Sequence, residues 1–236
     1  MHEILSPEQL YLTVDILVLT VRDGKLCLML SRRKDPPYEG RLALPGRFIE
    51  YGEAAETAVR RLMDEMIPVP EPFMEQLYTF TEVNRDPRGR VISMAYLVIV
   101  PPQKLGEVLS AGRTVMEPYA ISTDATSLQL TGEKGKTFIG GDLAFDHGRI
   151  IETGVQRLQG KIDYTDIGFR FLNHPGAFSL SELQMVYEAV LGETLDSSNF
   201  RRSILNRYEK TGRLWQTAQE ERHGRGRPAV LYRFDL

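Results

Sequence analysis

Residues 46–66, GRFIEYGEAAETAVRRLMDEM, are built like a helix for metal-dependent chemistry on a diphosphate. Three glutamates at relative positions 0, 3 and 4 would project from one helical face and hold divalent cations against a pyrophosphate. Here those positions are Leu62, Glu65 and Met66. One carboxylate cannot assemble such a site, and two apolar side chains make its hydration costly. The segment therefore predicts a helix that has the form of a catalytic helix but lacks the carboxylates that the catalysis requires.

The same segment resembles a Nudix box, whose pattern begins with Gly, five residues, Glu, seven residues and Arg-Glu. With Arg47 in the first Gly position, the residues in register are Glu53, Arg61 and Glu65. Leu62 and Met66 replace the two other glutamates, and Pro68 replaces the final glycine. The resemblance implies a Nudix fold, and the substitutions predict a protein that is not an enzyme, with no catalytic residue, no metal and no cofactor.

Arginines surround this region in the sequence. Guanidinium forks fit phosphate oxygens, so several of them could hold a nucleoside diphosphate without metal. An aromatic ring beside them could stack a base. The candidate effector-binding residues are Arg33, Arg47, Phe48, Arg85 and Arg88. For each arginine taken singly, a solvated basic turn remains the alternative.

Charge is distributed unevenly along the chain. Residues 196–236 carry nine Lys/Arg and five Asp/Glu, a net charge of +4, whereas the remainder carries −7 and the whole chain −3. A basic C-terminal segment on an acidic body indicates a polyanionic partner. The lone cysteine, Cys27, allows no internal disulfide and is expected in the core. The sequence shows neither a signal peptide nor an apolar run that could span a membrane, so we expect a cytoplasmic protein.

The basic segment has the order of a winged helix-turn-helix. Ser179 and Glu182 form a capping-box pattern for one helix, and residues 196–212 predict a second, whose core side is Phe200, Ile204 and Tyr208. Arginine and asparagine on the opposite face can read base edges, while lysine binds phosphate. The strands LWQTAQ and AVLYRFDL would flank a basic wing. The candidate DNA-binding residues are Ser198, Arg201, Arg202, Asn206, Arg207, Lys210, Arg225 and Arg227. A protein-binding winged domain is the alternative.

The N-terminal part predicts strands, one helix and more strands. Strands are expected at 12–21 and 25–31 around the turn Asp23-Gly24, a helix at 53–66, and strands at 76–82 and 91–100. For residues 101–142 the sequence does not choose between two structures, a hairpin around 132–135 and a mobile loop. Helical periodicity begins again at LAFDHGRII. Asp146 and His147 are expected to cap this helix. The fold class is α+β: a Nudix-like α/β/α sandwich at 1–160 and a winged helix-turn-helix at 161–236.

The order of these motifs resembles the Nudix-related transcriptional regulators, the NrtR family. The resemblance rests on the degenerate box, LAFDH, FRR and RGRPAVLY, and covers nearly the whole chain. It implies a homodimeric regulator that binds palindromic double-stranded operator DNA and senses ADP-ribose or a related NAD metabolite. Two alternatives stay open: an active Nudix pyrophosphatase with a regulatory tail, and a sugar-responsive regulator of the same architecture. Arg47, in place of the family's glycine, and the segment 101–142, which lacks an expected tryptophan, depart from the family pattern.

Overall fold

The structure, a computed structural model, describes residues 9–123, 127–221 and 229–236. It contains a nine-stranded sheet covered by helices and a three-stranded sheet with two further helices. The predicted α+β class is therefore confirmed.

The large sheet has the strand order β5-β6-β1-β2-β7-β8-β9, with β3 paired to β2 and β4 paired to β1. Its strands are β1 (Leu10–Arg22), β2 (Lys25–Arg32), β3 (Leu42–Ala43), β4 (Gly46–Phe48), β5 (Phe73–Phe80), β6 (Arg90–Ile99), β7 (Glu117–Thr123), β8 (Leu128–Gly132) and β9 (Thr137–Ile139). The predicted hairpin between β1 and β2 is confirmed, and both Asp23 and Gly24 take positive φ there. β1 and β6 run parallel, a non-local pairing that the local sequence pattern did not predict.

Side chains alternate across β1, so the sheet has a core on each face. On one face, helix α1 (Ala55–Met66) buries Ala58, Val59 and Leu62 against Ile16 and Val18. Helix α2 (Pro102–Ser110) covers the same face. On the other face, helix α3 (His147–Ile162) buries its Ile/Val/Leu stripe against the remaining side chains of β1. This arrangement is the predicted α/β/α sandwich.

Two parts of the segment 101–142 form regular structure. Its first part forms α2, and its last part forms the predicted hairpin, made of β8 and β9 around the turn at Gly135, which has a φ of 76°. The helix was missed because Pro101 and Pro102 stand at its start, although proline fits the first turn of a helix.

The C-terminal unit contains β10 (Phe178–Ser179), α4 (Leu180–Leu191), α5 (Ser197–Ile204), β11 (Leu214–Glu221) and β12 (Ala229–Phe234). Ser179 and Glu182 form the predicted capping box, and Gly192 ends α4 in the left-handed conformation. Asp196 caps α5 through the amide of Asn199. This is the predicted winged-helix order.

The two units share one hydrophobic core. Helix α4 contacts α3 and also β1 and β2 of the large sheet. Gln159 on α3 donates a hydrogen bond from Nε2 to the carbonyl oxygen of Val190, at 3.1 Å. The division into 1–160 and 161–236 stays a prediction, and it falls within the last turn of α3.

Helix α3 packs so closely on β1 that residue 154 must be glycine. A Cβ added to Gly154 would lie 2.3 Å from Cδ2 of the fully buried Leu17. We expect Gly154→Ala to lower the free energy of unfolding by up to about 2 kcal/mol. Overpacking typically costs about 1–3 kcal/mol, against a gain of roughly 1 kcal/mol for alanine in a helix. Chemical denaturation measures the difference.

The matched control is Gly160→Ala in the same helix, where an added Cβ would meet nothing within 4 Å. This change should stabilise the protein by roughly 0.5–1 kcal/mol. Equal effects of the two substitutions would show that the close approach at Gly154 is unimportant.

Candidate ligand cleft and nucleic-acid interface

A buried cation, Arg85, joins three elements at the floor of a cleft of about 140 Å³. Its Nε and Nη2 donate to both carboxylate oxygens of Asp146, at 3.0 and 2.7 Å, and Nη2 also lies 3.2 Å from Oδ2 of Asp15. The hydroxyl of Ser93 on β6 donates to the same Asp15 oxygen at 2.5 Å. Burial disfavours the charge of Arg85, but the two carboxylates outweigh burial and raise its pKa.

Asp146 and His147 do not cap α3 with their side chains, so the predicted capping role is wrong. Asp146 is the N-cap residue, but its carboxylate pairs with Arg85. His147 accepts the amide hydrogen of Leu44 at Nδ1, 2.9 Å away, and its Nε2 lies 3.6 Å from Oδ1 of Asp15. Burial lowers the pKa of His147, which keeps the ring neutral with its proton on Nε2.

The rim of the cleft combines arginines with aromatic rings. The guanidinium of Arg33 lies 4.8 Å from the ring centre of Phe145, and that of Arg88 lies 5.5 Å from the same ring and 5.4 Å from Phe48. Burial and the nearby charge of Arg88 both lower the pKa of Arg33. Arg33 donates to the backbone carbonyls of Pro37 and Asp35, and the carboxylates of Asp86 and Asp35 offset part of its charge. Such a rim suits an anion with a flat apolar group.

The two surviving carboxylates of the box are each held by an arginine. Glu53 accepts from Nε and Nη2 of Arg61 at 2.9 and 2.8 Å, and this hydrogen bonding lowers its pKa to about 2. Glu65 accepts from Nη1 of Arg47 at 2.6 Å and also from its Nη2. Leu62 turns into the core beneath α1 instead of facing the cleft. Asp64 is exposed.

All five candidate effector-binding residues line this one cleft: Arg33, Arg47, Phe48, Arg85 and Arg88. Their role in binding stays a prediction. Arg85 already donates hydrogen bonds to the carboxylates of Asp15 and Asp146. Sequence reasoning missed Asp15, Ser93 and Phe145. Phe145 has a φ of 51°, an outlier for a bulky residue and a mark of a functional site. A polar residue inside the apolar strand LTVDILVL was the available signal for Asp15.

The face of α5 and the turn after it carries polar side chains to solvent. Phe200, Ile204 and Tyr208 are buried, as their spacing predicted. Exposed side chains on the opposite side are Ser198, Arg201, Arg202, Asn206 and Lys210. Arg202 is steadied by a 2.6 Å hydrogen bond to Asn199, and Arg201 by one of 2.9 Å to the Tyr232 hydroxyl. The helix can therefore present these groups to a groove of a duplex.

Arg207 does not project outward as predicted. The chain from Leu205 to Glu209 forms a π-helical turn, whose i→i+5 hydrogen bonds break the 3.6-residue period. Arg207 is half-buried, its guanidinium lies 5.6 Å from the Tyr208 ring centre, and Nη1 is out of contact with solvent. The two wing candidates, Arg225 and Arg227, lie outside the described residues. Within the described ranges, no helix is long and apolar enough to cross a membrane.

The neutral, buried His147 predicts acid sensitivity. The unfolded chain takes up a proton near pH 6.5, whereas the folded protein resists it because the pKa of His147 is lowered. This contribution to stability is present above about pH 6.5 and is lost as the pH falls. Asparagine can place an acceptor near Nδ1 without titrating, so His147→Asn should reduce the fall in melting temperature between pH 7.5 and 5.0.

The control is His174→Asn, which makes the same substitution at an exposed position. An unaltered pH dependence in His147→Asn would count against a buried neutral imidazole.

Comparison with known proteins assigns both halves of the chain. The NUDIX domain family matches residues 10–115, and the family described as the NrtR DNA-binding winged helix domain matches residues 168–234. The ADPR responsive transcriptional repressor NtrR of Acinetobacter baylyi is 30% identical over 95% of this chain and 82% of its own length. The ADP-ribose pyrophosphatase of Methanocaldococcus jannaschii is 32% identical, over 63% of this chain and 77% of its own length.

Among solved structures, Shewanella oneidensis NrtR complexed with a 27mer DNA is similar throughout. It has a TM-score of 0.73 and 31% identity, and the match covers 95% of this chain and 93% of that one. The match to the pyrophosphatase spans 63% of this chain, whereas the matches to the repressor and to the NrtR structure each span 95% and so include both units. The chain therefore belongs to the NrtR family of Nudix-related transcriptional regulators.

Proposed function

We propose that this protein is a transcriptional repressor whose Nudix cleft binds ADP-ribose or a related NAD metabolite without hydrolysing it. The ligand changes the affinity of the winged-helix domain for palindromic double-stranded DNA. The protein acts as a homodimer, because each winged helix reads one half-site of a palindrome. The units at 1–160 and 161–236 serve as effector and DNA-binding domains.

The observation that carries the proposal is the single core that connects cleft and recognition helix. Helix α3 begins directly after Asp146, which is paired with Arg85 in the cleft, and its sixteen residues are roughly 24 Å long. Near its other end, Gln159 donates a hydrogen bond to Val190 of α4. A ligand phosphate that draws Arg85 away from Asp146 would alter the start of α3. Because packed helices transmit shifts as rigid bodies, the orientation of α4 and α5 would change with it.

The experiment measures DNA binding with and without the effector. A duplex selected from a random pool should be palindromic and bind with a steep salt dependence, because arginine and lysine contacts to phosphates release counterions. Adding ADP-ribose should change the affinity by roughly 5- to 150-fold, the range typical of allosteric coupling. Fluorescence anisotropy provides the measurement.

Two arginine variants separate sequence reading from general charge. Arg202→Ala should lose roughly 5- to 150-fold in affinity for the selected duplex and little for random DNA, since one bidentate base contact has about that value. Arg60→Ala removes the same charge from an exposed position on α1 and should behave like wild type. Failure to bind any duplex at low salt would favour a protein-binding winged domain.

The alternative, an active pyrophosphatase, is supported by the relative from Methanocaldococcus jannaschii and by the retained Glu53 and Glu65. Both carboxylates are bound by arginines, which argues against a cation site. We therefore expect ADP-ribose incubated with the protein and Mg²⁺ to yield no AMP or ribose 5-phosphate above a protein-free blank, by ion-exchange chromatography. Hydrolysis of ADP-ribose by the wild type that disappears in Glu65→Gln would establish that the protein is a pyrophosphatase instead.

A further inference from the structure

Arg47 stands where the Nudix pattern has a glycine, and it changes what the box can bind. It belongs to β4, which pairs with β1, and its side chain lines the cleft together with Arg33 and Arg88. Its guanidinium also reaches α1, where Glu65 accepts two hydrogen bonds from it. One side chain thus connects the surviving box carboxylate with the anion-binding rim.

The residues present do not fit the divalent cations that the Nudix pattern implies. The position of Leu62 is buried in the core, and that of Met66 is apolar and half-buried. Glu53 is occupied by Arg61, and Glu65 by Arg47. The described ranges contain no group of three or more His, Cys, Asp or Glu side chains that could hold a metal ion. Hard cations need several free carboxylate oxygens, and these are already neutralised.

The guanidinium supplies the charge that a bound cation would otherwise provide. A carboxylate beside a diphosphate repels it unless a cation stands between the two groups. Arg47 neutralises Glu65 through two of its five N–H donors, and three donors remain for a ligand. Its side chain is 29% exposed, so phosphate oxygens can reach it.

We propose that Arg47 takes the place of the divalent cation: it binds the diphosphate of the ligand directly, and ligand binding is independent of metal. Glu65 is a positioning residue that holds the guanidinium at the edge of the cleft. An ion pair this exposed contributes little to stability, so its geometry matters for the ligand rather than for folding. The inference rests on the proposed function, because it assumes that the cleft binds a diphosphate.

The test is calorimetric titration of the full-length protein with ADP-ribose, in EDTA and in Mg²⁺. Wild type should bind equally well in both. Arg47→Gly, which restores the residue of the Nudix pattern, should lose roughly ten- to a hundredfold in affinity, as expected for a hydrogen bond between charged groups. Arg47→Lys keeps the charge but not the fork and should fall between the two.

The control is Arg60→Ala, which removes an exposed guanidinium from α1 outside the cleft and should bind like wild type. Equal melting temperatures would show that the variants fold. Wild type that binds ADP-ribose only with Mg²⁺, or Arg47→Gly that binds as tightly as wild type, overturns the inference alone. Wild type that binds ADP-ribose in neither buffer overturns the proposed ligand and the inference together.

Discussion

The buried ion pairs of Arg85 are the constraint on which the cleft depends. A guanidinium that is 7% exposed needs carboxylates around it, and Asp15 and Asp146 supply them from the central strand and from the start of α3. Removing Arg85 would leave two uncompensated carboxylates in the protein interior. The pairs therefore fix the position of α3 relative to the sheet, and they place a cation at the floor of the cleft.

The same helix faces two demands. At its N-terminus it must keep Asp146 beside Arg85 in the cleft, and further along it must support α4 of the winged-helix unit. The continuous stripe of Ile150, Ile151, Val155 and Leu158 meets the second demand by packing along its whole length on the sheet. Gly154 permits the contact with Leu17 to be so close that the helix cannot slide without repacking.

Two positions that hold glutamates in the Nudix pattern, Leu62 and Met66, are apolar here. Leu62 fills the core below α1, and Arg47 and Arg61 neutralise the carboxylates that remain. The helix is retained because its apolar face still holds one side of the sandwich together.

Sequence by itself determined the local structure: the Asp23-Gly24 hairpin, the capping box at Ser179 and the buried spacing of Phe200, Ile204 and Tyr208 all follow from short-range rules. It also identified the arginines that line the cleft, since residue type and neighbourhood in a family pattern carry that information. Only the tertiary structure decided which partner each charge would have. Asp15, Arg85 and Asp146 lie up to 131 positions apart in the chain, and no local pattern brings them together. The half-buried position of the Arg207 side chain could not be predicted either. A π-helical turn at this point changes the helical period from which the direction of the side chain was predicted.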